Sequence, residues 1–82
     1  MYAPEDLAEM RLDSADPDHF AVRHASEGHR YVFHVDVKRG RRVLSWTCRA
    51  GRNPAANFDA EHYVDCARWF AELEARDRKL ID

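Results

Sequence analysis

Three segments of alternating polarity constrain the fold most: "HFAVRHA" (residues 19–25), "RYVFHVDV" (30–37) and "RVLSWTCR" (42–49). Each is rich in aromatic and β-branched residues and repeats its apolar positions every second residue, the period of a half-buried strand. Turn-forming stretches, "SEGH" and "KRGR", separate them, so neighbours are expected to pair antiparallel. Cross-strand partners share a face, so in the correct register the apolar set meets itself. With Arg39-Gly40 at the second tip, Val35 faces Leu44, Phe33 faces Trp46 and Tyr31 faces Cys48. A loop one residue longer or shorter sets Phe33 against Ser45 and Tyr31 against Thr47. With Glu27-Gly28 at the first tip, Val22 faces Phe33 and Phe20 faces Val35. Both turns send the same residues inward, which predicts a three-stranded antiparallel meander with one buried face.

Such a sheet needs a cover. From about Ala60 to Lys79 a helical period appears, with Asp59 at the N-cap position. Tyr63, Cys66, Ala67, Phe70 and Leu73 form the apolar stripe. Pairs such as Glu72–Arg76 and Glu74–Arg78 have the favourable i, i+4 order on the polar side. At the other end "PEDLAEMRL", opened by Pro4 with Glu5 and Asp6 in its first turn, predicts a short helix. "DSADPD" (13–18) reads as a break and "AGRNPAAN" (50–57) as a loop. The expected order is α-β-β-β-α, an α+β fold in one domain over residues 1–82. A chain of 82 residues holds one domain at most.

The order α-β-β-β-α is that of the double-stranded-RNA-binding domain. "GHRYVF", with His29 four residues before Phe33, resembles that family's turn and central strand. The resemblance implies a shape over roughly residues 4–73. That family grips phosphates with lysines at the start of its second helix. Here the same place reads "FDAEHYVD", where Asp59, Glu61 and Asp65 would repel phosphate. The implied shape carries over and the implied RNA grip does not.

A hydrophobic fraction of 45% argues against disorder, and the formal net charge of −2 is not that of a basic nucleic-acid binder. The start "MYAPEDLAEM" lacks the apolar core of a signal peptide, and no apolar run approaches the length that spans a bilayer. A cytoplasmic protein of phage or bacterial type, with no membrane association, is expected. Cys48 and Cys66 match no zinc spacing and are expected to be reduced, buried thiols. His19, His34 and Asp36 lie on the open sheet face, where parallel side chains do not converge on a metal. Ser14, Ser26 and Ser45 lack a nucleophile elbow, and the chain's three glycines form no phosphate loop. No catalytic residue, metal or cofactor is therefore expected.

What remains is interaction. Free-standing domains with dense mixed charge resemble, in size and charge alone, the small phage inhibitors of host defences, anti-CRISPR proteins among them. The expected function is a non-catalytic protein-interaction module that occludes a charged groove on a larger protein. Asp59, Glu61, Asp65 and Trp69 are the expected contacts. If exposed, Trp69, Leu73 and Leu80 would form a ridge suited to a homodimer. The alternative is a small nucleic-acid-binding module using the tip of "VKRGRRVLSW": Lys38, Arg39, Arg41 and Arg42, with Arg49 and Arg52 beyond.

Overall fold

The computed structural model describes residues 7–45 and 48–82. The described residues form the strands β1 Met10–Ala15, β2 His19–His24, β3 Arg30–Lys38, β4 Arg41–Leu44 and β5 Arg49–Gly51. A 3-10 turn, Ala60–Tyr63, then leads into α1, Val64–Asp77. All pairings are antiparallel in the order β1-β2-β3-β4, and β5 also pairs with β3. The expected N-terminal helix is corrected. Among the described residues only Leu7 and Ala8 are helical before the chain enters β1, and Pro4 to Asp6 lie outside those residues. Met10 and Leu12 turn inward opposite His24 and Val22. Pairing with β2 overrides the weak strand propensity of "MRLDSA".

The β3–β4 register is the expected one: Val35 opposes Leu44. The β2–β3 register is displaced by two residues, with Phe20 opposite Phe33 and Val22 opposite Tyr31. The reason lies in the turn. Its loop has four residues, Ala25 to Gly28, closed by Gly28 N–H donating to the His24 carbonyl at 2.8 Å and His24 N–H to the His29 carbonyl at 2.9 Å. A displacement of two preserves which face each side chain takes, so the inward set stands although its partners change.

The third expected strand is broken. Tyr31 opposes Ala50, not Cys48, so two extra residues enter between β4 and β5. The expected Phe33–Trp46 pair lies outside the described residues, as does Thr47. At the break Ser45 keeps β3 satisfied with both backbone and side chain. Its N–H donates to the His34 carbonyl at 2.7 Å, and its hydroxyl accepts the His34 N–H at 3.1 Å. Arg68 reaches across from α1 and donates to the carbonyls of Ser45 and Leu44, the latter at 3.3 Å.

The bulk of the core comes from the sheet: Met10, Phe20, Val22, Tyr31, Phe33 and Leu44 are all buried. The helix contributes a small face, Ala67, Ala71 and Ala75, each fully buried. Alanines at i, i+4 and i+8 let the helix backbone approach the aromatic layer closely. The expected stripe is thus rotated: Cys66 and Ala67 belong to it, Phe70 and Tyr63 are half-buried beside it, and Leu73 is 45% exposed. The helix stops at Asp77. Lys79 adopts φ 59° and Leu80 N–H donates back to the Ala75 carbonyl at 2.9 Å, a left-handed cap of the Schellman kind. Leu80 and Ile81 do find partners, since Ile81 is buried and Leu80 packs on the core. Asp82 N–H donates to the Arg42 carbonyl at 2.9 Å, along the outer edge of β4.

Candidate functional site

The hairpin joining β3 and β4 is a two-residue turn. Lys38 pairs with Arg41, while Arg39 and Gly40 take φ of 55° and 75°. Two positive values in succession define the type I′ turn, whose twist matches that of the strands. Glycine meets this demand freely. Arginine does not, because its Cβ crowds the following carbonyl. Arg42 is tied at this end of the sheet: its backbone N–H donates to an Asp82 carboxylate oxygen at 2.8 Å, and its guanidinium lies 3.4 Å from the other. That pairing holds the Asp82 carboxyl below its ordinary range. The side chains of Lys38, Arg39 and Arg41 are exposed and, among the described residues, make no hydrogen bond or ion pair. Val37 beside them is 72% exposed.

The acidic residues at the start of the helical segment are less free. Asp59 takes the N-cap position, but its side chain makes no capping bond. Glu61 forms an ion pair with Arg52, and the hydrogen bond from that guanidinium pulls its carboxyl below the ordinary range. Asp65 is exposed, whereas Trp69 is half-buried. The four residues expected to act together therefore divide: Asp59 and Asp65 carry open charge, Glu61 is neutralised locally, and Trp69 is partly packed. Glu61 and Asp65 border a cleft of about 410 Å³ between β3, β5 and the helix, lined also by Tyr31, Phe33, Cys48 and Arg68. Burial pushes the Cys48 thiol up, against the pull of Arg68, which keeps it protonated and a poor nucleophile. Cys48 and Cys66 are not joined in a disulfide; Cys66 is buried and Cys48 only half-buried.

On the open sheet face, His19 stands opposite His34 with ring centroids 4.8 Å apart. Asp36 sits opposite Val43, further along. Among the described residues no three His, Cys, Asp or Glu side chains gather as a metal-binding group.

A buried polar cluster around Glu27 was invisible in the sequence. Glu27, expected at a turn tip, is buried and organises the loop before the helix. Its carboxylate accepts the Phe58 N–H at 2.9 Å, the Asn57 N–H at 3.3 Å and the Tyr63 hydroxyl at 3.1 Å. Burial pushes its carboxyl up, but these donors and nearby His24 outweigh it and hold the group below its ordinary value. The Glu27 N–H donates to His24 Nδ1 at 3.0 Å. The Asn53 side chain donates to the Glu27 carbonyl at 2.8 Å; Gly28 beside it takes φ 78°, the left-handed region that favours glycine, and a Cβ there would lie 2.9 Å from that amide nitrogen. His29 Nδ1 accepts the Asn53 N–H at 3.1 Å, so Nε2 carries the proton and donates to the Phe58 carbonyl at 2.8 Å. Every ring nitrogen of His29 and both Glu27 oxygens are committed to holding the loop. These contacts make a structural frame for the loop.

No family model matches the chain, and no curated protein or solved structure matches it.

Proposed function

We propose that the protein is a non-catalytic binding module whose contact element is the β3–β4 hairpin and whose partner is a nucleic acid. The observation carrying this reading is the trio Lys38, Arg39 and Arg41: three exposed cations at the hairpin whose side chains make no hydrogen bond or ion pair among the described residues, although the field of Arg41 reaches the Asp82 carboxylate. A two-stranded ribbon with a basic end can follow a phosphate backbone, and cations without internal partners give their full charge to that contact. The net charge of −2 does not oppose this, because the screening length near physiological salt is about 8 Å and the local surface governs the encounter.

The exposed carboxylates of Asp59 and Asp65 favour a second reading. In it the protein occludes a basic groove on a larger protein, with Trp69 at the rim, as a small inhibitor would. One experiment separates the two. The protein is used as bait in a lysate, with and without nuclease, and washed at low and high salt. Recovery of nucleic acid that is lost on changing Arg39 and Arg41 to Ala supports the hairpin reading. A discrete protein partner that survives nuclease and is lost on Asp65→Lys supports occlusion and overturns the first.

A further inference from the structure

We propose that the open face of the sheet is a track for single-stranded nucleic acid, anchored at the end away from the hairpin by Arg23 and Arg49. This rests on the hairpin reading above and extends it to the form of the ligand. The strand registers place Arg11 opposite Arg23, and Arg23 opposite Arg30, a row of three arginines across β1, β2 and β3. Arg49 on β5 joins one position along, opposite Val32. Like charges directly opposite one another destabilise a sheet, so the free protein carries this row at a cost.

The row is only partly relieved from within. Asp13, at the irregularity in β1 between Leu12 and Ser14, accepts Arg30 Nε at 2.5 Å. Arg11 turns back on the main chain and donates to the carbonyls of Ala8 and Met10. The side chains of Arg23 and Arg49 are exposed and have no hydrogen bond or ion pair among the described residues. They are the side chains a ligand would meet first, and the ligand they call for is a chain of anions.

The strand β3 leads from this row to the hairpin. Arg30 and His34 are exposed along it, Val32 is half-buried between them, and at its far end Lys38 stands opposite Arg41, where Lys38 also borders a cleft against the helix. Eight residues at about 3.3 Å each separate the two basic ends by about 26 Å. Between them lie the exposed rings of His19 and His34, a type of ring on which unpaired bases stack. Two anchors at that separation with rings between suit one extended strand whose bases are free. A duplex turns its bases inward and leaves such rings unused.

The test is titration of a labelled 12-nucleotide single strand, and of its duplex, by fluorescence anisotropy across a salt series. For single strands log K falls with log salt by about 0.7 per phosphate contact, so each contact is worth roughly fivefold at 0.1 M salt. Arg23→Ala with Arg49→Ala is expected to weaken single-strand binding about 25-fold there and to reduce the slope by about 1.4. Asp13→Asn, which releases Arg30, is expected to tighten binding by about fivefold. If the Arg23/Arg49 variant stays folded by circular dichroism and binds unchanged, while Arg39→Ala with Arg41→Ala abolishes binding, the track is wrong and the hairpin reading stands. Equal affinity for duplex and single strand overturns the single-strand assignment. No binding by the unaltered protein at the lowest salt removes the hairpin reading, and the track with it.

Discussion

Arg39 makes a demanding test, because stability and binding should respond to it in opposite directions. Its φ of 55° lies in the left-handed region, which costs an L-residue with a long side chain about 1–2 kcal/mol. Asparagine tolerates that region and precedes glycine in the commonest type I′ turns. Arg39→Asn should therefore recover about 0.5–1 kcal/mol of the strain, since the side chain makes no contact that would be lost. A domain of this size has a total stability of roughly 4–12 kcal/mol, so the gain is measurable, corresponding to about 2–8 °C in Tm. The same change deletes one cation from the tip and should weaken nucleic-acid binding about fivefold at 0.1 M salt. The assays are thermal and urea unfolding followed by circular dichroism, and the anisotropy titration. A variant no more stable than the parent would refute the strain argument. A more stable variant with undiminished affinity would refute the contact.

Tyr31→Phe removes a buried hydroxyl that donates to the Ala60 carbonyl at 2.6 Å and leaves that carbonyl short of a donor. Urea unfolding should show a loss of about 1–2 kcal/mol at an unchanged m-value. Arg68→Met removes the guanidinium that lies 5.9 Å from the Phe33 ring centroid and abandons the two carbonyls at the β4–β5 break, so stability should fall by about 1.5–3 kcal/mol, and amide exchange at Ser45 should quicken. Stability should also decline on acidification in two stages. Burial, with His29 adding to it and Glu9 and Glu27 opposing, holds His24 below its ordinary value of 6.5, so the folded state binds fewer protons and loses stability as pH falls below 6.5. Glu27 is likewise depressed below 4.5, so its contribution is present above 4.5 and is lost below it. In a pH series of urea midpoints His24→Gln should abolish the first stage and spare the second; loss of both or neither contradicts the assignment.

The legible part of the fold was the part fixed by local turn chemistry. Arg39-Gly40 allows only a tight turn, and Val35 opposite Leu44 follows from it. The first turn hid its length because Glu27 looks like a tip residue and is in fact buried, serving donors some thirty residues away. β1 was illegible because "MRLDSA" has the composition of a helix end and a turn, and only the edge of β2 makes it a strand. The helix was legible in position but not in rotation: the eye favours Phe70 and Leu73 for the core, whereas the residues buried against the aromatic layer are Cys66, Ala67, Ala71 and Ala75. The candidate site divides the same way. The hairpin cations stand out in a row in the sequence. The row of Arg11, Arg23 and Arg30 does not, because its members come from three strands, one of them unrecognised and one two residues out of register.

The alanine face of the helix has a consequence for synthesis. The strands that carry Phe20, Val22, Tyr31 and Phe33 precede, by a long interval of chain, the helix that covers them. At about 5–20 residues per second, the 27 positions from Leu44 to Ala71 take about 1–5 s to emerge, far longer than the microseconds in which a hairpin closes. For that interval a formed meander presents an uncovered aromatic layer to the crowded surroundings of the ribosome. A chaperone, or the nascent chain of a neighbouring ribosome, meets that surface before α1 does.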